Sequence, residues 1–200
     1  MLEADVERVQ RARAALETYG LAGLICRLPE DVLLLSGYWP MSGLALLLFP
    51  SDGEPVLLAP EVEAHLAAEG WVKDVRTFAW GLVDSGDPFV SLGKLARQAA
   101  ADLGLRDKLL GYEGSFEFMA APYVCAEPGA LGGATVGLVH ESISPNLVDA
   151  TSLIHRLRAR KTSMEAEKLR CANEIAKMGL RAFVEAVAPG RSEIEIAAAV

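Results

Sequence analysis

Long apolar runs, cysteine and histidine are all scarce in this chain, and each shortage closes off a class of function. No uninterrupted apolar segment approaches the roughly 20 residues that a membrane-spanning helix needs. The longest, Leu44–Phe49, suits a buried strand. The opening residues Met1-Leu2-Glu3-Ala4-Asp5 are acidic and lack the basic and then apolar regions of a secretory signal, so a cytoplasmic protein with no membrane partner is expected. Cysteine occurs only at Cys26, Cys125 and Cys171, an odd number with no C-x-x-C pair. That excludes a disulfide framework and a dithiol redox motif, and each cysteine is expected to behave as a small buried apolar residue.

The three histidines, His65, His140 and His155, fall in no H-E-x-x-H motif and pair with no cysteine at zinc-finger spacing. His140-Glu141 reads as part of a strand, where adjacent side chains point to opposite faces and cannot share a ligand. The glycine-rich stretch Gly129–Thr135 lacks the lysine of a phosphate-binding loop and precedes a predicted strand, whereas such a loop requires a helix N-terminus. Gly111-Tyr112-Glu113-Gly114-Ser115 carries its serine last, not centrally, so it is no nucleophile elbow. No catalytic set and no metal site can be assembled from these residues.

What is abundant is apolar surface: hydrophobic residues make up 52% of 200 positions and mean hydropathy is +0.25, enough for a sizeable core. The formal net charge of −8 is unevenly spread. Residues 155–200 hold nine Lys/Arg against six Asp/Glu, whereas residues 1–154 hold ten against twenty-one. The shift marks a boundary, and we divide the chain into 1–157 and 158–200. The run Arg156, Arg158, Arg160, Lys161 reads as cations favoured at a helix end by the backbone dipole. The acidic remainder repels phosphate backbones, which excludes nucleic acid as a partner.

Periodicity predicts a helix from Val6 to Tyr19 that stops at Gly20, a strand at Ala22–Cys26, and a resumed strand at Val32–Leu35. Leu44–Phe49 and Val56–Ala59 flank a Ser-Asp-Gly turn and read as a hairpin. A helix opened by Pro60, a strand at Val72–Phe78, a loop over Ala79–Asp87 and a helix from Pro88 to Leu103 follow. Lys108–Tyr112 and Thr135–Val139 read as strands, Glu127–Gly133 as a surface loop, and Leu147–Leu157 as a helix. Helix and strand alternate around one hairpin, so the fold class is α/β with a mixed sheet flanked by helices.

Two features stand out. Ser36–Gly43 places Tyr38 and Trp39 in a Gly/Pro-rich loop, where large aromatics either pack beneath the loop or line a pocket. The second feature is the junction Leu157-Arg158-Ala159-Arg160-Lys161-Thr162-Ser163-Met164-Glu165. There Thr162 and Glu165 make a capping box for a long helix with apolar or small residues at Leu169, Ala172, Ile175, Ala176, Gly179, Ala182, Phe183, Ala186 and Val187. A second box, Ser192 with Glu195, follows Pro189-Gly190.

These segments carry a resemblance. Asp31-Val32-Leu33-Leu34-Leu35-Ser36-Gly37-Tyr38 is similar to the "(N/D)-V-x-Y-L-(T/S)-G-(F/Y)" segment of the creatinase/prolidase/aminopeptidase P family, with leucine where tyrosine is usual. The junction, with Leu169-Arg170, Ala172, Ile175-Ala176 and Pro189-Gly190-Arg191-Ser192-Glu193, resembles the family's "L-R-x-x-K-(S/T)-x-x-E…L-R-x-A…I-A…P-G-x-(T/S)-E" passage into its pita-bread catalytic domain. The resemblance implies an N-terminal domain that pairs into a homodimer and roofs an active site, with a long helix opening a truncated catalytic domain. In the family's peptidases two divalent ions (Mn, Co or Zn) are held by Asp, Asp, His, Glu and Glu, all downstream of the matched region. The 200 residues are therefore expected to hydrolyse nothing alone. The implied parent is an Xaa-Pro metallopeptidase acting on proline-containing peptides, with Tyr38 and Trp39 as candidate substrate-binding residues. The alternatives are a non-catalytic binding or oligomerisation module and a creatinase-like C–N hydrolase.

Overall fold

The structure is a computed structural model and describes residues 2–42, 44–80, 86–114 and 133–200, residues 133 and 134 by their backbone alone. Cys125, the glycine-rich stretch before residue 133, Ser115 and the middle of the Ala79–Asp87 segment lie outside the described residues. Two compact units divide at Arg160/Lys161.

Among the described residues of the first unit six strands build one sheet: β1 (Gly23–Cys26), β2 (Leu46–Pro50), β3 (Val56–Pro60), β4 (Asp74–Phe78), β5 (Leu110–Tyr112) and β6 (Leu147–Asp149). Their order is β4-β3-β2-β1-β5-β6. The β1–β2 and β2–β3 pairs are antiparallel and the other three are parallel. The sheet is mixed, as the alternation of elements predicts.

Central strands explain the densest apolar run. Leu46 and Leu48 of β2 enter a core with Leu92, Ala96 and Ala99 of α4 (Pro88–Asp102), Val139 of α5 (Gly133–Ser142) and Ile143 just after it. Leu47 and Phe49 enter the opposite core. That core is completed by α1 (Val6–Thr18), α2 (Pro29–Ser36), α3 (Ala64–Ala67) and α6 (Thr151–Ala159). A strand covered on both faces has no reason to alternate with polar residues, and each fully buried leucine contributes about 1.5–3 kcal/mol.

Three predicted elements are corrected. Val32–Leu35 is helical, within α2: Pro29 stands in the first turn, Glu30 and Asp31 favour the dipole, and Gly37 closes the helix at φ 75°. Thr135–Val139 is also helical, because Thr135, Val139 and Ser142 are the buried positions and recur at helical spacing. His140 and Glu141 are consequently exposed neighbours about 100° apart on a helix rather than on opposite faces of a strand. Leu147–Leu157 is split: Leu147–Asp149 pairs with β5, and α6 starts only at Thr151. Cys26 is buried, as expected, but Cys171 is exposed, as are its neighbours along the helix.

The second unit consists of α7 (Ser163–Ala186) and α8 (Glu193–Ala197), each opened by a complete capping box. Glu165 N donates to Thr162 Oγ1 at 3.1 Å, and Thr162 N donates back to Glu165 Oε2 at 3.0 Å. Thr162→Ala is expected to weaken the start of α7 by about 1 kcal/mol. Faster amide exchange at Ser163–Glu165, with the first unit unchanged, is the result to look for. Exchange unaltered at those amides would show that the box is idle.

Candidate functional site

The loop after α2 owes its shape to a left-handed residue. Gly37 N donates to Leu33 O at 2.9 Å and closes the helix, and its φ of 75° turns the chain so that the next side chain enters the core. Ser36 fastens the turn from beneath: its hydroxyl donates to Val32 O at 2.6 Å and accepts Tyr38 N at 3.1 Å. Ser36 O accepts Trp71 N at 3.0 Å, which ties the loop to the segment following α3.

Tyr38 is 1% exposed and belongs to the α1–α2 side of the core. Its hydroxyl donates to Glu63 Oε2. Glu63, buried at the end of a single 3-10 turn (Glu61–Glu63), also accepts Met41 N at 2.9 Å and Ser42 N at 2.7 Å. One carboxylate therefore gathers both ends of the Tyr38–Ser42 loop. Burial pushes the Glu63 carboxyl up, but the hydrogen bonds from Ser42, Tyr38 and Met41 outweigh it and hold it below the usual carboxylate range. Burial, and then Glu63, pushes the Tyr38 phenol well above its ordinary value, so it stays a hydrogen-bond donor.

Trp39 faces the other way. It is half-buried and lines a hollow of about 500 Å³ with Leu2, Gly37, Tyr38, Met41, Leu66 and Glu69. Leu2 N donates to Glu69 O at 2.7 Å and so closes one wall. Among the described residues the walls are mainly apolar, with one acid, Glu69. Such a hollow can grip an apolar ring or side chain. The structure thus places the two sequence-predicted aromatics next to each other in different roles: Tyr38 beneath the loop, Trp39 at the surface of the hollow.

Sequence reasoning passed over Glu63. An acid two residues after Glu61 in a helix opened by proline reads as a dipole partner facing water, and only the return of the chain beside β2 encloses it. Among the described residues no group of three or more His, Cys, Asp or Glu side chains stands together to hold a metal ion. These residues do not fit the implied pair of divalent ions, and no step through them is derived from this chain.

The creatinase/prolidase N-terminal domain pattern matches residues 8–160. The chain belongs to this family. With the mycobacterial protein described as probable dipeptidase PepE (Mycobacterium tuberculosis), the creatinase/prolidase-type chain is 25% identical over 198 residues, which cover 98% of this chain and 47% of the relative. It therefore spans about half the length of the curated relatives it matches. Its fold is like that of the Xaa-Pro dipeptidase from Bacillus anthracis, at a TM-score of 0.63 and 18% identity over 96% of this chain and 46% of that one. It is also like the creatinase/prolidase N-terminal domain of an Xaa-Pro dipeptidase from Streptococcus pyogenes, at a TM-score of 0.54 and 18% identity over 76% of this chain and 98% of that one. No helix among the described residues is long and apolar enough to cross a membrane.

Proposed function

We propose that this chain is the substrate-capping and dimer-forming part of a cytoplasmic, metal-dependent Xaa-Pro peptidase of prolidase or aminopeptidase P type, and is not catalytic by itself. The observation that carries the reading is the family match over residues 8–160, combined with a likeness that continues through α7 and α8 to a probable dipeptidase of about twice the length. In this reading residues 1–157 form the cap and 158–200 open the pita-bread catalytic domain. The parent's remaining part would hold the two divalent ions, which would polarise the substrate's scissile carbonyl and activate a water.

The second unit supports that division. Ile175, Met178, Leu180 and Val184 of α7 are each at least 65% exposed. A helix with so much open apolar surface needs cover, and the part of the relatives' length that this chain does not span is where the reading finds it.

For the cap, we assign substrate contact to Trp39 and its support to Tyr38. The hollow beside Trp39 suits a pyrrolidine ring or another apolar side chain. In the full-length enzyme Trp39→Ala is expected to raise KM for an Xaa-Pro dipeptide about tenfold and to leave kcat within about twofold, the signature of lost uniform binding. An unchanged KM would remove Trp39 from the site. Failure of the full-length protein to cleave Xaa-Pro dipeptides with any of Mn, Co or Zn would remove the peptidase reading itself.

A further inference from the structure

A second cluster, at the opposite end of α2 from Trp39, joins four elements. Glu113 follows β5 directly, is 3% exposed, and aims its carboxyl at the start of α2. Its Oε2 accepts Arg27 N at 2.7 Å and Leu28 N at 2.8 Å, and its Oε1 lies 3.1 Å from Leu28 N. Leu28, the cap residue of α2, has no side chain able to do this, so the capping carboxyl arrives from a strand 85 residues away.

Asp31, at the third helical position of α2, is also 3% exposed. The third position of a helix faces back toward its cap, so the Asp31 carboxyl and the Glu113 carboxyl, which sits on the Leu28 amide, stand at the same buried end of α2. Asp31 Oδ1 is buried and accepts no hydrogen bond among the described residues, with Arg158 Nη1 of α6 at 3.5 Å. Two carboxylates buried at one place repel each other and lose their hydration, so such a pair keeps one proton.

The surrounding groups do not remove that requirement. From α2 comes Glu30, which adds like charge; from the β1–α2 link comes Arg27; from the end of β1 comes the neutral thiol of Cys26; and from α6 come Arg158 and His155. Asp149 of β6 is turned instead to Gly114 N at 3.2 Å and Thr151 N at 2.9 Å.

We propose that Asp31 and Glu113 share a single proton, and that this proton is a pH-operated latch. It fastens the start of α2 to the end of β5, and it releases α2 when the proton passes to solvent and leaves two buried carboxylates face to face. Because α2 runs directly into Gly37, Tyr38 and Trp39, the latch governs how firmly the aromatic loop is held. Burial, and then the charge of Asp31, push the Glu113 carboxyl far up, with the two amide donors opposing. Burial pushes Asp31 up as well, with Arg158 opposing.

The sign follows from linkage. Above the ordinary carboxylate range the folded chain holds a proton that the unfolded chain has lost. The pair's contribution is therefore complete at acid pH, and it falls by a factor of up to about ten in the folding constant for each unit of rising pH until the folded pair ionises.

The test uses Asp31→Asn and Glu113→Gln, each of which supplies an N–H donor and keeps the contact without the shared proton. Urea unfolding from mildly acidic to alkaline pH should show wild type losing stability with pH relative to both variants, by up to about tenfold per unit. Exchange protection along α2 should fall with it in wild type alone. Infrared spectra of wild type labelled with ¹³C-Glu or ¹³C-Asp should show a protonated carboxyl band at neutral pH. Variants with the wild-type slope, or the absence of that band, would overturn the proposal. None of these readings depends on peptidase activity, so the latch and the enzymatic reading fail separately.

Discussion

Replacing Glu63 with alanine is expected to destabilise the folded chain by about 3–5 kcal/mol, since it strands three donors at once. Tyr38 Oη, Met41 N and Ser42 N all donate to this carboxylate. Each bond to a charged group contributes about 1.5–3 kcal/mol, and a buried donor left unpaired costs its full desolvation. Glu63→Gln keeps one acceptor oxygen and should lose about half as much, and Tyr38→Phe, which removes one donor, about 1–2 kcal/mol. The pH dependence is opposite in sign to that of the Asp31–Glu113 pair. Glu63 is held below the usual carboxylate range. Its contribution is therefore present above the pH at which an unfolded glutamate ionises, and it is lost as pH falls through the folded value. Urea titrations of wild type and Glu63→Gln across acid pH should converge as the medium becomes more acid. A constant gap down to the lowest pH would mean that the carboxylate is not what holds the loop.

The other large effect is expected at Arg8. Its guanidinium, in a residue 1% exposed, donates to Leu157 O and, at 3.0 Å, to Arg160 O. These carbonyls end α6, so a side chain from α1 caps a helix about 150 residues later in the chain. Arg8→Ala leaves a cavity and takes the guanidinium from Leu157 O, while Arg160 O keeps Arg11 Nη1 at 3.1 Å. A loss of about 3–5 kcal/mol is expected, read as a lower urea midpoint at unchanged m. Arg8→Lys keeps the charge but loses the two-pronged fork, and should recover less than half of that loss. A midpoint within experimental scatter of wild type for Arg8→Ala would show that the α1–α6 contact is apolar only.

The sequence was most legible where one signal acted alone. Thr162 and Ser192 lie where capping chemistry puts them, and the hairpin around Gly53 follows from its turn residues. The junction helix follows from its spacing. Legibility failed where an apolar run was too short to show a period. Leu33-Leu34-Leu35 fits strand or helix by composition, and only Pro29 before it and Gly37 after it argue for the helix. Leu147–Asp149 completes a helical spacing with Ala150, Leu153 and Leu157, and became a strand because β5 offers it a free edge. The site divides the same way. Two neighbouring aromatics in a loop announce themselves, whereas Glu63, Arg8, Asp31 and Glu113 are charged residues that composition assigns to the surface. Each is buried because its partner comes from a distant part of the chain, and that is a property of topology that local patterns do not carry.

The central claim is that these residues shape and cover a site whose chemistry lies elsewhere. Its most direct test is a comparison of Xaa-Pro dipeptide hydrolysis by the 200-residue chain and by the full-length protein, each supplied with Mn, Co or Zn. The account predicts cleavage before proline by the full-length protein and none by the 200-residue chain at any metal concentration. Metal-stimulated hydrolysis by the 200 residues alone would contradict it.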